Sequence, residues 1–101
     1  MPGHSVIVDT SALYALVDAD DVHHGEATRY LRQLGRNVSL EIVDTTLMEA
    51  LTLIKRRLGA DVASQTLQAI QGSSRYRTVR LTEEEWREMW RLFEQYADKQ
   101  W

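Results

Sequence analysis

His4-Ser5-Val6-Ile7-Val8-Asp9-Thr10-Ser11-Ala12-Leu13 is the stretch on which the reading of this chain turns. Val6, Ile7 and Val8 are β-branched and consecutive, as in a buried strand, and the run stops at polar residues whose short side chains start helices. A strand over His4–Val8 that feeds a helix from Ala12 to Val17 is therefore expected. Asp9 would stand at the carboxyl end of that strand, where open parallel sheets gather their function.

Outward from there, strand and helix patterns alternate. Asp18-Ala19-Asp20-Asp21 interrupts the first helix. Ala27, Tyr30, Leu31 and Leu34 keep helical spacing in a second, from His23 to Leu34, which Gly35 closes. Val38 to Val43 reads as a second strand and Asp44-Thr45-Thr46 as a turn. Leu47, Ala50, Leu51, Ile54 and Leu58 then place a third helix that ends at Gly59. Ala63, Leu67 and Ile70 carry a fourth, from Asp61 to about Gln71, and Tyr76 to Leu81 alternates as a third strand. Thr82 with Glu85 forms a capping box for the last helix, whose stripe of Trp86, Met89, Trp90, Phe93 and Ala97 is spaced as core or interface. Strands separated by helices need crossover connections, so the expected class is α/β with a largely parallel sheet flanked by helices.

The 101 residues suffice for one domain, and the chain is read as a single unit over 1–101. With 44% apolar and 27% charged residues it can build a packed core. The absence of Cys removes disulfide scaffolds, thiolate zinc sites and cysteine nucleophiles, and suits a reducing compartment. No run approaches the roughly 20 apolar residues of a membrane span, and Met1-Pro2-Gly3-His4 opens no secretion signal, so a cytoplasmic protein without membrane partners is expected. Net charge is −3, with 2 basic and 5 acidic residues over 1–35, 7 and 4 over 36–81, and 3 and 6 over 82–101. Affinity for a polyanion must therefore be local to the middle of the chain.

Asp44 and Glu49 enter the same zone as Asp9, at the end of the second strand and the start of the third helix. Carboxylates converging across one polar cleft would suit Mg²⁺ or Mn²⁺, hard cations that take oxygen ligands and keep waters for substrate phosphates. Each acid also has a purely structural reading. Asp9 could cap the first helix, Thr46 with Glu49 matches a capping box, and Asp44 fits a turn or cap better than a ligand. Lys55, Arg56 and Arg57 on the helix of Glu49 could join a metal ligand to RNA phosphate contacts, as could Arg75, Arg77 and Arg80, although such charges are more often solvated surface. His23 and His24 are adjacent on a helix and project about 100° apart, which disfavours shared chelation. The phosphate-loop, dinucleotide-binding and serine-hydrolase motifs are missing.

Val6-Ile7-Val8-Asp9-Thr10-Ser11-Ala12-Leu13, Asp20-Asp21-Val22-His23-His24, and Asp44-Thr45-Thr46-Leu47-Met48-Glu49-Ala50-Leu51 followed by Lys55-Arg56-Arg57-Leu58-Gly59 together resemble a PIN domain of the VapC-like toxin type. The resemblance implies a Mg²⁺- or Mn²⁺-dependent ribonuclease acting on RNA, often a dimer and often neutralised by an antitoxin protein. Asp9 matches the family's first acid and Glu49 its second, as catalytic residues and metal ligands. Thr10 and Ser11 match the polar residues that position water or substrate beside the first acid. The family's third acid, and a fourth where present, fall in a segment that begins beyond Trp101, and Asp98 matches neither. The expectation is a C-terminally incomplete domain that lacks the final helix and strand, binds a cation weakly and is impaired in cleavage. The competing reading is a catalytically inactive binding or assembly module with the same fold.

Overall fold

Strand β1 (Ser5–Ile7) pairs in parallel with β2 (Ser39–Val43), and β2 in parallel with β3 (Tyr76–Val79), giving a sheet in the order β1-β2-β3. The structure, a computed structural model, describes residues 4–95, apart from the side chains of Met89 and Phe93. Each parallel pair is joined by a helical crossover: α1 (Thr10–Val17) and α2 (His24–Gln33) between the first two strands, α3 (Asp44–Leu58) and α4 (Ala60–Gln71) between the second two. Helix α5 (Glu83–Gln95) follows β3. No described helix is long and apolar enough to cross a membrane.

The register sets two unlike faces. Val6, Leu40 and Tyr76 stand side by side, as do Ile7, Glu41 and Arg77 one residue on. The first row points into the core, as do Val8 and Ile42 two residues further along, and there Val8, Leu40 and Ile42 meet Leu13 of α1, Leu47 and Ala50 of α3 and Ile70 of α4. Leu31 and Leu34 at the end of α2 pack against the same cluster. Ile42 and Ile54 are completely enclosed, each worth about 1.5–3 kcal/mol relative to exposure. On the other face Ile7 is 73% exposed, so β1 is not buried on both sides as the β-branched run predicts. Helices α1 to α4 all contribute to one side of the sheet, and the period of two therefore decides which residue is buried.

Element ends shift for local reasons. The backbone N–H of Val8 still donates to the Glu41 carbonyl at 2.8 Å, so β1 pairs a little beyond its assigned end. Strand β3 stops at Val79 rather than Leu81 because its partner in the register is Val43, the last residue of β2. The turn expected at Asp44-Thr45-Thr46 does not form: Val43, extended at φ −67° and ψ 141°, leads directly into a helix whose first residue is Asp44. An acid in this position favours the positive end of the helix. Between α3 and α4, Gly59 adopts φ 101° and ψ 163°, a conformation that belongs to glycine, and the chain reverses there without a loop.

The capping box of α5 forms as expected, with Thr82 N–H donating to Glu85 Oε1 at 3.0 Å and Glu85 N–H to Thr82 Oγ1 at 3.1 Å. The core reading of its stripe does not hold for the described side chains. Trp86 is 46%, Trp90 62% and Leu92 42% exposed, and α5 packs closely against no other described element. Ala97 and Trp101, together with the side chains of Met89 and Phe93, lie outside the described residues.

Candidate functional site

Asp9 is the N-cap of α1: its backbone is extended and its Oδ1 accepts the Ala12 N–H at 2.8 Å. The capping role expected as the alternative is thus real, yet it uses one oxygen, and Oδ2 takes no partner among the described residues. Thr10 is the first residue of α1, half-buried, and Ser11 beside it is exposed. Ser11 shares a hollow with Asp9 between α1 and α2.

Glu49 meets the opposite fate. Because α3 begins at Asp44, Glu49 falls in the second turn, beyond reach of the unsatisfied N–H groups, and the Thr46–Glu49 capping box is absent. Its exposed carboxylate has neither a hydrogen bond nor an ion pair among the described residues. Glu49 lines a hollow of about 390 Å³ with Thr52, Leu53 and Arg56, residues that follow it at one and two turns on one face of α3. Asp44 instead accepts the Thr45 N–H at 2.7 Å; as the first residue of α3 after the N-cap Val43 it is neither the turn residue nor the cap that its sequence reading expected. Asp9 and Glu49 each line their own hollow, and the packing of α1 against α3 connects the two elements.

The basic residues divide. Lys55 and Arg56 are exposed in the last turn of α3. Arg57 in the same turn lies with its guanidinium carbon 5.2 Å from the centre of the Tyr14 ring, within cation–π range. Arg75 reaches the carbonyls of Leu31, Leu34, Gly35 and Val38 at 3.4–3.5 Å and so closes the C-terminal end of α2 rather than facing a phosphate. Arg77 approaches Glu41 at 3.9 Å across the sheet.

The adjacent histidines point apart as helical geometry requires. His24 Nδ1 lies 2.7 Å from the Ala15 carbonyl, which ties α2 to the end of α1, whereas His23 Nδ1 faces Glu26 Oε2 at 3.6 Å. His23, Glu26 and Tyr30 line the hollow of Asp9. Sequence reading passed over Glu26 and Tyr30 as a surface, although the signal was there: 23, 26 and 30 recur at three and four residues along α2.

Oxygen donors are what Mg²⁺ and Mn²⁺ take, and the unpartnered oxygens of Asp9 and Glu49 have that chemistry. No group of three or more His, Asp or Glu residues that could hold a metal ion gathers at one point among the described residues.

A model of the PIN domain matches residues 6–100. The chain belongs to the PIN domain family. Among solved structures, this PIN domain is similar to VapC20 of Mycobacterium tuberculosis, a toxin that cleaves the sarcin-ricin loop, with a TM-score of 0.80 and 26% identity. The likeness covers 94% of this chain and 71% of VapC20. Comparison with curated proteins found no match.

Proposed function

We propose that this PIN domain, a single unit over 1–101, is a toxin-type ribonuclease that cleaves RNA phosphodiester bonds with Mg²⁺ or Mn²⁺ held by Asp9 and Glu49. The observation that carries the reading is the pair of carboxylates that keep oxygens unpartnered among the described residues on two packed helices, Asp9 by its Oδ2 at the carboxyl end of β1 and Glu49 on the exposed face of α3. Family membership and the likeness to VapC20 support the same reading. A bound cation would lower the pKa of an attacking water and stabilise the charge that develops on the phosphate. The chain's own residues do the positioning. The Ala12 N–H fixes the Asp9 carboxylate by its Oδ1 and leaves Oδ2 for the cation. Thr10 or Ser11 would hydrogen-bond a water or phosphate oxygen beside it. Arg56, two turns from Glu49 on the same face, and Lys55 would contact the RNA backbone. Arg57 would do so more weakly, being engaged over Tyr14.

Loose cation binding by two carboxylates predicts slow cleavage. An antitoxin protein is the natural partner of a toxin of this type, the cytoplasm its place of action, and a second copy its partner through the exposed apolar side chains of α5. Incubation of the purified chain with a mixed-sequence RNA and Mn²⁺ tests the activity. Cleavage that requires Mn²⁺ and is lost in Asp9→Asn is expected; cleavage that survives this substitution would contradict the assignment. Asn caps a helix as well as Asp does, so α1 is kept. The second reading, an inactive module, is supported by the same loose donor set and predicts no cleavage at any Mn²⁺ concentration.

A further inference from the structure

An open hollow of about 440 Å³ lies between α1 and α2, and Asp9 is among its lining residues. Its remaining wall plays no part in the cleavage just described. Small side chains, Ala12 and Ala27, are among its lining residues. Tyr30 supplies an aromatic ring that is 56% exposed. His23 and Glu26 stand two turns and one turn before it on the same face, 70% and 80% exposed, with a His23 Nδ1–Glu26 Oε2 separation of 3.6 Å.

The wall is held in place from behind. His24 bonds the Ala15 carbonyl at 2.7 Å, and the Asp21 carboxylate accepts the His23 N–H at 2.9 Å, so the first turn of α2 is fixed to the end of α1. An exposed ring, a neighbouring pair of polar side chains and a nearby acid on a fixed wall form the arrangement by which proteins take an unpaired base from single-stranded RNA. The base face stacks on the aromatic ring and its edge is read by hydrogen bonds.

Resting on the ribonuclease reading, we propose that Tyr30, His23 and Glu26 form a subsite for one unpaired nucleobase of the RNA whose backbone passes Asp9. Tyr30 stacks the base. The Glu26 carboxylate only accepts hydrogen bonds, so it selects a base edge that carries an amino group, as in adenine, cytosine and guanine. Uracil has no amino group, and its one edge donor, N3–H, is flanked by two carbonyls that repel a carboxylate, so it is disfavoured. His23 orients Glu26 and contributes its other ring nitrogen to the rim.

The test is fluorescence-anisotropy binding of labelled hexaadenylate, hexacytidylate and hexauridylate to the full chain in EDTA, where cleavage is off. Hexaadenylate and hexacytidylate are expected to bind several-fold more tightly than hexauridylate. Tyr30→Leu keeps an apolar side chain above β1 and removes the stacking face; it should weaken all three by about tenfold or more, with Tyr30→Phe restoring binding. Glu26→Gln, which can also donate, should reduce the preference against uracil while leaving the dependence on Tyr30. Equal binding by Tyr30→Leu and the unaltered chain, or no binding of any oligonucleotide, overturns the subsite. If Mn²⁺-dependent, Asp9-dependent cleavage persists in Tyr30→Leu with unchanged KM, the subsite is wrong and the nuclease reading stands. Tyr30-dependent binding by a chain that never cleaves RNA upholds the subsite and removes the nuclease reading.

Discussion

The Tyr14 hydroxyl donates to Asp18 Oδ2 at 2.5 Å, one turn further along α1, and Arg57 of α3 lies over the Tyr14 ring at 5.2 Å. Asp18 is the C-cap of α1, where a negative charge faces the negative end of the helix. The hydroxyl and the backbone N–H of Asp20 both donate to its carboxylate, which holds Asp18 below the usual carboxylate range. The same bond to Asp18, and then burial, push the Tyr14 phenol up. The contact thus turns an unfavourable cap into a link between the two helices that carry Asp9 and Glu49.

This link has a pH window. Asp18, depressed in the folded state, contributes stability that is present above the pKa of the unfolded chain, about 3.9, and lost as the pH falls through the lower folded value. Tyr14, raised in the folded state, contributes stability that is present below about 10 and lost as the pH rises through the higher folded value. Tyr14→Phe is therefore expected to melt several degrees below the unaltered chain at neutral pH and to converge with it at acid pH. Thermal unfolding followed by circular dichroism across the acid range checks this; an unchanged gap at pH 2 would contradict the role given to the bond.

Core truncation separates packing from capping. Ile54 is completely enclosed in α3, and Ile54→Ala should cost about 2–5 kcal/mol. Thr82→Ala removes one half of the α5 capping box and should cost about 1 kcal/mol. Because α5 packs closely against no other described element, the second loss should appear as reduced helicity with little change in the cooperative unfolding of the sheet. Urea unfolding monitored by circular dichroism distinguishes the two, and a Thr82→Ala midpoint shifted as far as that of Ile54→Ala would refute the separation.

The apolar side chains of α5 predict self-association. Trp86, Trp90 and Leu92 are all exposed on one short helix, and exposed apolar clusters of this kind mark association surfaces. Sedimentation at micromolar concentration should show a dimer that Trp86→Ala or Trp90→Ala weakens. A stable monomer that binds no dye sensitive to apolar surface would overturn this.

The order of elements was legible because each has its own period: alternation in Leu40 and Ile42, three-and-four spacing in Leu47, Ala50 and Ile54, and a capping box at Thr82 and Glu85. What the sequence hides is tertiary. Ile7 has the residue type of a core position, but its exposure depends on which side of the sheet the helices cover. Thr46 and Glu49 have the spacing of a capping box, but spacing is silent about the strand running straight into the helix at Val43. The guanidinium of Arg75 closes α2 across more than 35 residues of sequence, a contact that no local pattern encodes. Asp9 was legible both as cap and as candidate ligand because a carboxylate has two oxygens, and the structure gives one of them to the cap.

The central claim is that Asp9 and Glu49 hold one divalent cation, and titration of the chain with Mn²⁺, followed by electron paramagnetic resonance of the free ion, tests it most directly. The account predicts one weak site per chain whose affinity falls about tenfold or more in Asp9→Asn and also in Glu49→Gln, with both variants folded by circular dichroism. Binding that is unchanged in either variant would contradict it.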